Sequence, residues 1–118
     1  MRKILSAYAF AVLAASLAHA HAFLDHPSPA VGRSVPTSPP AVTIWFTQEL
    51  EPAFSSIEVQ DQSGTRVDVG DAKVDAKDAT ILRVSLKPLP PGKYKVFWRV
   101  VSVDTHATEG TFTFTVGS

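Results

Sequence analysis

"YKVFWRV", residues 94–100, and "TFTFTV", residues 111–116, decide how this chain folds. In the first run Tyr94, Val96, Trp98 and Val100 alternate with Lys95 and Arg99. In the second, Phe112, Phe114 and Val116 alternate with threonines. Successive side chains of a strand point to opposite faces, so a period of two gives each run one apolar face. The same alternation recurs in "VTIWF" (Val42, Ile44, Phe46), "SIEV" (Ile57, Val59) and "ILRVSL" (Leu82, Val84, Leu86). "DQSGT", residues 61–65, reads as a hairpin turn, and "PLPPGK", residues 88–93, breaks any regular element. Five prolines within residues 27–40 predict extended loop. Residues 71–79, "DAKVDAKDA", are short and polar and predict a connection with at most a single turn. About seven short strands without a convincing helix predict an all-β, Ig-like Greek-key sandwich or barrel. Trp98 is expected in its core. Trp45, on the more polar face of its strand, is expected at a partly exposed rim covered by a loop.

The first 20 residues carry a basic head (Arg2, Lys3), a limited apolar run and a closing "AHA". That layout predicts a secretory signal peptide over residues 1–20, cut after Ala20. The run is too short for a convincing membrane span. The expected product, residues 21–118, is a soluble exported domain with 9 basic and 11 acidic residues, a formal charge of −2. No basic face stands out, which argues against a nucleic-acid partner. The chain has no cysteine, so no disulfide supports the fold and the apolar core must suffice. A Cys nucleophile, a zinc–thiolate site and a blue-copper thiolate are excluded with it.

Three histidines remain after cleavage: His21, His26 and His106. Asp104 and His106, in "SVDTHATEG", are two residues apart and would share a side on an extended backbone. Such a pair suits half a metal site, and equally a hydrogen-bonded surface pair. His21 adds weight to the first reading. As residue one of the processed chain it offers its α-amine and ring Nδ1, which close a six-membered chelate on a metal. With the His106 imidazole and the Asp104 carboxylate this makes an N3O set, suited to the tetragonal plane of Cu(II). Cu(I) prefers thiolates and thioethers, and the only methionine, Met1, leaves with the leader. His26, followed by Pro27, reads as a surface histidine.

The start "HAFLDHPSPAVG" and the ending "LPPGKYKVFWRVVSVDTHATEGTFTFTV" resemble the CopC family of periplasmic copper-binding proteins. The resemblance covers essentially the whole of residues 21–118. It implies a small Greek-key barrel or sandwich binding Cu(II) through His21, Asp104 and His106, as a periplasmic carrier or buffer in copper homeostasis or resistance. It also implies a CopD-type inner-membrane copper transporter as a partner, and a monomer is expected. Relatives with a methionine-rich Cu(I) loop exist, and this sequence resembles the Cu(II)-only branch. Many relatives place a glutamate near the copper amine. Here Gln48 aligns with it and Glu49 is the adjacent acid, so a carbonyl oxygen would accept the amine hydrogen bond without adding charge. Two other readings compete. A terminal histidine with a second imidazole also builds the histidine brace of copper oxygenases, but Asp104 would fill the equatorial position that oxygen needs; no enzyme activity is therefore expected. An exported structural sandwich that merely begins with histidine would bind no metal tightly.

Overall fold

Residues 92–116 fold into a long hairpin with ten paired positions, which is the spine of one of two sheets. The computed structural model describes residues 21–117. The expected leader over residues 1–20 lies outside the described residues. Eight strands follow in order: β1 (Leu24–Ser28), β2 (Ser34–Val35), β3 (Ala41–Phe46), β4 (Ser56–Gln60), β5 (Lys73–Val74), β6 (Ile81–Ser85), β7 (Gly92–Val101) and β8 (Ala107–Val116). One sheet has the order β1-β3-β6-β5 and the other β2-β8-β7-β4. All pairings are antiparallel except β2 with β8. The result is the all-β sandwich that the alternation predicts.

The core is built from the alternating residues themselves. Val42, Ile44 and Phe46 of β3 and Leu82 and Val84 of β6 are buried from one sheet. Ile57 and Val59 of β4, Val96 and Val100 of β7, and Phe112 and Phe114 of β8 are buried from the other. Each such side chain contributes about 1.5–3 kcal/mol by leaving water. The buried Asp68 carboxylate is satisfied: it accepts from the Val59 amide (2.8 Å), the Gly70 amide (2.9 Å) and Arg66 Nε (2.9 Å).

Several expectations change in detail. Eight strands form where about seven were expected; β2 and β5 are each two residues long, too short to show a period. The proline-rich residues 27–40 are not wholly loop, since Pro27 lies in β1 and Ser34–Val35 form β2. β1 tolerates Pro27 because it is an edge strand, paired only with β3. Residues 71–79 contain β5 as well as the expected connection, which ends in a turn where the Ile81 amide donates to the Asp78 carbonyl (3.1 Å), and a 3-10 turn forms at Pro52–Phe54. Trp98 faces inward but is only partly buried, packing edge-on to Phe46 at 5.2 Å. Its ring lies over Gly110, its cross-strand partner, where a Cβ would come within 2.6 Å. Trp45 is half-buried as expected, but its cover is the His26 ring of β1, stacked at 4.5 Å and 8°, rather than a loop. At residues 61–65 the expected hairpin turn forms: Asp61 and Thr65 are bridged by a 2.9 Å backbone bond, and Gly64 takes φ +83°.

Candidate metal centre

At the end of β7 the chain turns through residues 102–106 and re-enters the sheet as β8. The Ser102 amide donates to the His106 carbonyl (3.0 Å), and the Thr105 amide to the Ser102 carbonyl (2.8 Å). Thr105 adopts φ +73°, a left-handed conformation that costs a β-branched residue roughly 1–2 kcal/mol. The Asp104–His106 pair therefore meets across a tight turn and not along an extended backbone. The expectation of one shared side holds, for a different reason. His106 Nδ1 lies 3.5 Å from Asp104 Oδ1, too long for a made hydrogen bond.

Ser102, fully buried, donates its hydroxyl to Asp104 Oδ1. That bond is the main cause holding the Asp104 carboxyl below the usual aspartate range; partial burial opposes it and the neighbouring His106 adds to it. The opposite orientation holds for His106. Its side chain is 43% exposed, yet Nδ1 is shielded from solvent and makes no hydrogen bond. Among the described residues no other buried side-chain nitrogen or oxygen is left in that condition. A shielded polar atom that makes no hydrogen bond has capacity left for a ligand, since leaving it unmet costs about 1–3 kcal/mol.

His21 comes to this turn from the other end of the chain. Its ring centroid stands 4.5 Å from that of His106, at 49°. The adjoining residues explain the approach. Ala22 is buried, and its carbonyl accepts from the Thr108 hydroxyl (2.6 Å), two residues beyond His106 on β8. The Phe23 amide donates to Thr47 Oγ1 (3.0 Å), and the Thr47 amide returns to the Phe23 carbonyl (2.9 Å). Gln48 and Glu49 are exposed, next to Thr47; the contact they make with the turn is through backbone, the Val103 amide donating to the Glu49 carbonyl (3.0 Å). His26 stands apart in β1, exposed, with Nδ1 2.7 Å from Asp25 Oδ2.

The structure thus joins His21 to His106 and His106 to Asp104 as neighbouring pairs. Among the described residues, no three His, Asp or Glu side chains already stand in metal-ligating geometry. The sequence reading missed Ser102 and Thr108, which hold the turn and the incoming chain. Ser102, two residues before Asp104, carried the only local sign. A shallow depression of about 560 Å³ on the outer face of β4, β7 and β8 contains none of these groups; its lining includes Glu58, Arg66, Phe97 and Arg99.

Residues 24–117 match the CopC domain family, a span that starts just after His21. The chain is 39% identical over 114 residues to protein YobA of Escherichia coli K12, covering 92% of each. It is 31% identical over 109 residues to the copper transport protein CutJ of Bacillus subtilis, covering 92% of this chain and 20% of CutJ. Among solved structures, CopC from Methylosinus trichosporium OB3b superposes with a TM-score of 0.76 at 40% identity, covering 81% of this chain and 93% of that one. PcoC of E. coli, described as a methionine-rich copper resistance protein, superposes with a TM-score of 0.69 at 32% identity, covering 82% and 99%.

Proposed function

The chain belongs to the CopC domain family, and from that premise we propose that it is an exported copper-binding protein. It carries or buffers Cu(II) in the periplasm, in copper resistance or homeostasis, and performs no catalysis. The ligands are the α-amine and Nδ1 of His21, the His106 imidazole and the Asp104 carboxylate. One observation carries this reading. Two imidazoles from opposite ends of the sequence meet at 4.5 Å, beside a carboxylate, and one of them holds a shielded Nδ1 with no hydrogen bond.

The donor chemistry favours the oxidised metal. Two imidazoles, an amine and a carboxylate suit Cu(II), whereas Cu(I) favours sulfur. This chain has a single methionine, in the leader, and no cysteine, unlike the relative described as methionine-rich. The fourth donor is a backbone amine that removal of residues 1–20 creates. Ser102 orients the Asp104 carboxylate for the metal, and Gln48 or Glu49 orients the His21 amine. The protein acts as a monomer and passes copper to or from a CopD-type membrane transporter.

Titration of the processed protein with Cu(II), followed by EPR, tests the ligand set. A tetragonal three-nitrogen, one-oxygen signal is expected, strengthening between about pH 5 and pH 8 as amine and imidazoles lose protons. One alanine added before His21 turns the amine into an amide and should abolish that signal. Equal binding by the extended chain would refute the proposed ligands.

A further inference from the structure

One peptide group close to His21 is held at both of its ends. The Ala22 carbonyl accepts from the Thr108 hydroxyl at 2.6 Å, and the Phe23 amide, in the same peptide plane, donates to Thr47 Oγ1 at 3.0 Å. Thr108 lies on β8 and Thr47 follows β3, so the two hydroxyls come from different sheets. A peptide group is planar, so fixing its oxygen and its N–H fixes the whole plane. The Thr47 amide, donating to the Phe23 carbonyl (2.9 Å), secures the next peptide as well. Ala22 is fully buried, whereas the Phe23 side chain is largely exposed. The anchor is therefore backbone and threonine hydroxyl, not the Phe23 ring. Residues so near a chain end stay poorly ordered unless tied down, and here two sheets tie them.

This clamp bears on which atoms a metal can take. In a free peptide, an N-terminal amine anchors Cu(II), and the amide nitrogens that follow can lose their protons and bind beside it. Those five-membered rings compete with the six-membered ring that the amine closes with a histidine Nδ1. In this chain the next two amides are both withheld. The Phe23 N–H is already donated to Thr47, and Ala22 is out of reach of solvent.

Resting on the copper-carrier reading above, we infer that Thr47 and Thr108 are positioning residues that select the donor atoms of the His21 chelate. By holding the Ala22–Phe23 peptide they keep backbone amides off the metal, and leave the His21 amine and Nδ1 to meet His106 and Asp104. They also order the chelating residue beforehand, so less freedom is lost on binding. With the plane released, an amide gives its proton to water and its nitrogen bonds the Cu(II). The bond that breaks is the one to the Asp104 carboxylate, because a deprotonated nitrogen is the stronger donor to this ion.

Two measurements test the clamp. In the metal-free processed protein, the Phe23 amide should exchange with deuterium about tenfold faster in Thr47→Val than in the wild type. That variant keeps the bond from the residue 47 amide to the Phe23 carbonyl, so the change isolates the hydroxyl. In the Cu(II)-loaded protein at one fixed pH, EPR should read three nitrogens and one oxygen for the wild type. The Thr47→Val/Thr108→Val double variant should read four nitrogens, with a new visible circular-dichroism band from the bound amide. Serine at both positions restores the hydroxyls and should restore the wild-type spectrum. If the double variant does not fold, Thr47→Val alone, at an exposed position, carries both readouts. Unchanged exchange at Phe23, or a wild-type spectrum from the valine variants, would overturn the clamp while leaving the carrier reading intact. A wild-type protein that binds no Cu(II) would sink the carrier reading and the donor selection together.

Discussion

Strand β1 and the β7–β8 turn each set an aspartate beside a histidine, and the two pairs end in opposite states. In β1, Asp25 and His26 are adjacent, and adjacent strand residues normally face apart. A register shift between Leu24 and His26 brings them together at 2.7 Å, so the imidazole Nδ1 is bonded and the ring lies flat on Trp45. In the turn, Ser102 has already engaged Asp104 Oδ1, and His106 Nδ1 stays shielded and unbonded at 3.5 Å. The same two residue types thus make a completed surface pair in one place and an uncompleted one in the other. On the proposed ligand set, completion of local hydrogen bonds, more than residue type, is what separates His26 from His106.

Substituting the two histidines in parallel puts the sharpest strain on that contrast. His106→Ala should weaken Cu(II) binding by more than about a hundredfold, since losing a ligand exceeds the 10–100-fold typical of its supporting partners. His26→Ala should leave affinity essentially unchanged, as read by competition titration. Comparable losses in both would erase the distinction drawn here.

Ser102→Ala comes next, with a loss of about tenfold in Cu(II) affinity, because Asp104 keeps its charge but loses its orientation. In the metal-free protein the Asp104 carboxyl is held below the ordinary aspartate range by Ser102. Its contribution to stability is therefore present above the unfolded value, about 3.9, and fades as pH falls through the lowered folded one. An NMR titration should show the Asp104 midpoint moving back toward the ordinary value in Ser102→Ala. An unmoved midpoint would mean the hydroxyl does not set this carboxylate.

The smallest effect concerns the backbone. Thr105 occupies a left-handed conformation that the β1 pair does not need. Thr105→Gly should raise stability by about 1 kcal/mol, seen as a higher denaturation midpoint. A lower midpoint would show that the Thr105 hydroxyl, bonded to the Asp104 carbonyl at 2.6 Å, matters more than the strain.

Much of the fold was legible because five strands announce themselves. β3, β4, β6, β7 and β8 are long enough for apolar alternation to stand out, and their inward residues are the ones buried. β2 and β5 were illegible, since two residues carry no period. β1 was hidden by Pro27, which an edge strand accepts and a central one would not. At the site, the sequence named His21, Asp104 and His106 from their chemistry. It could not show that Thr108 and Thr47 guide His21 to the turn, because those bonds join residues remote in the chain.

By itself, then, the sequence determined the strand faces, the lack of thiol chemistry and the donor types available, all of which follow from local pattern and side-chain identity. Tertiary structure alone decided which imidazole would keep a shielded nitrogen without a bond. It also decided that His21 would meet it. Those outcomes depend on sheet pairing and turn geometry, which bring together residues that no local pattern relates.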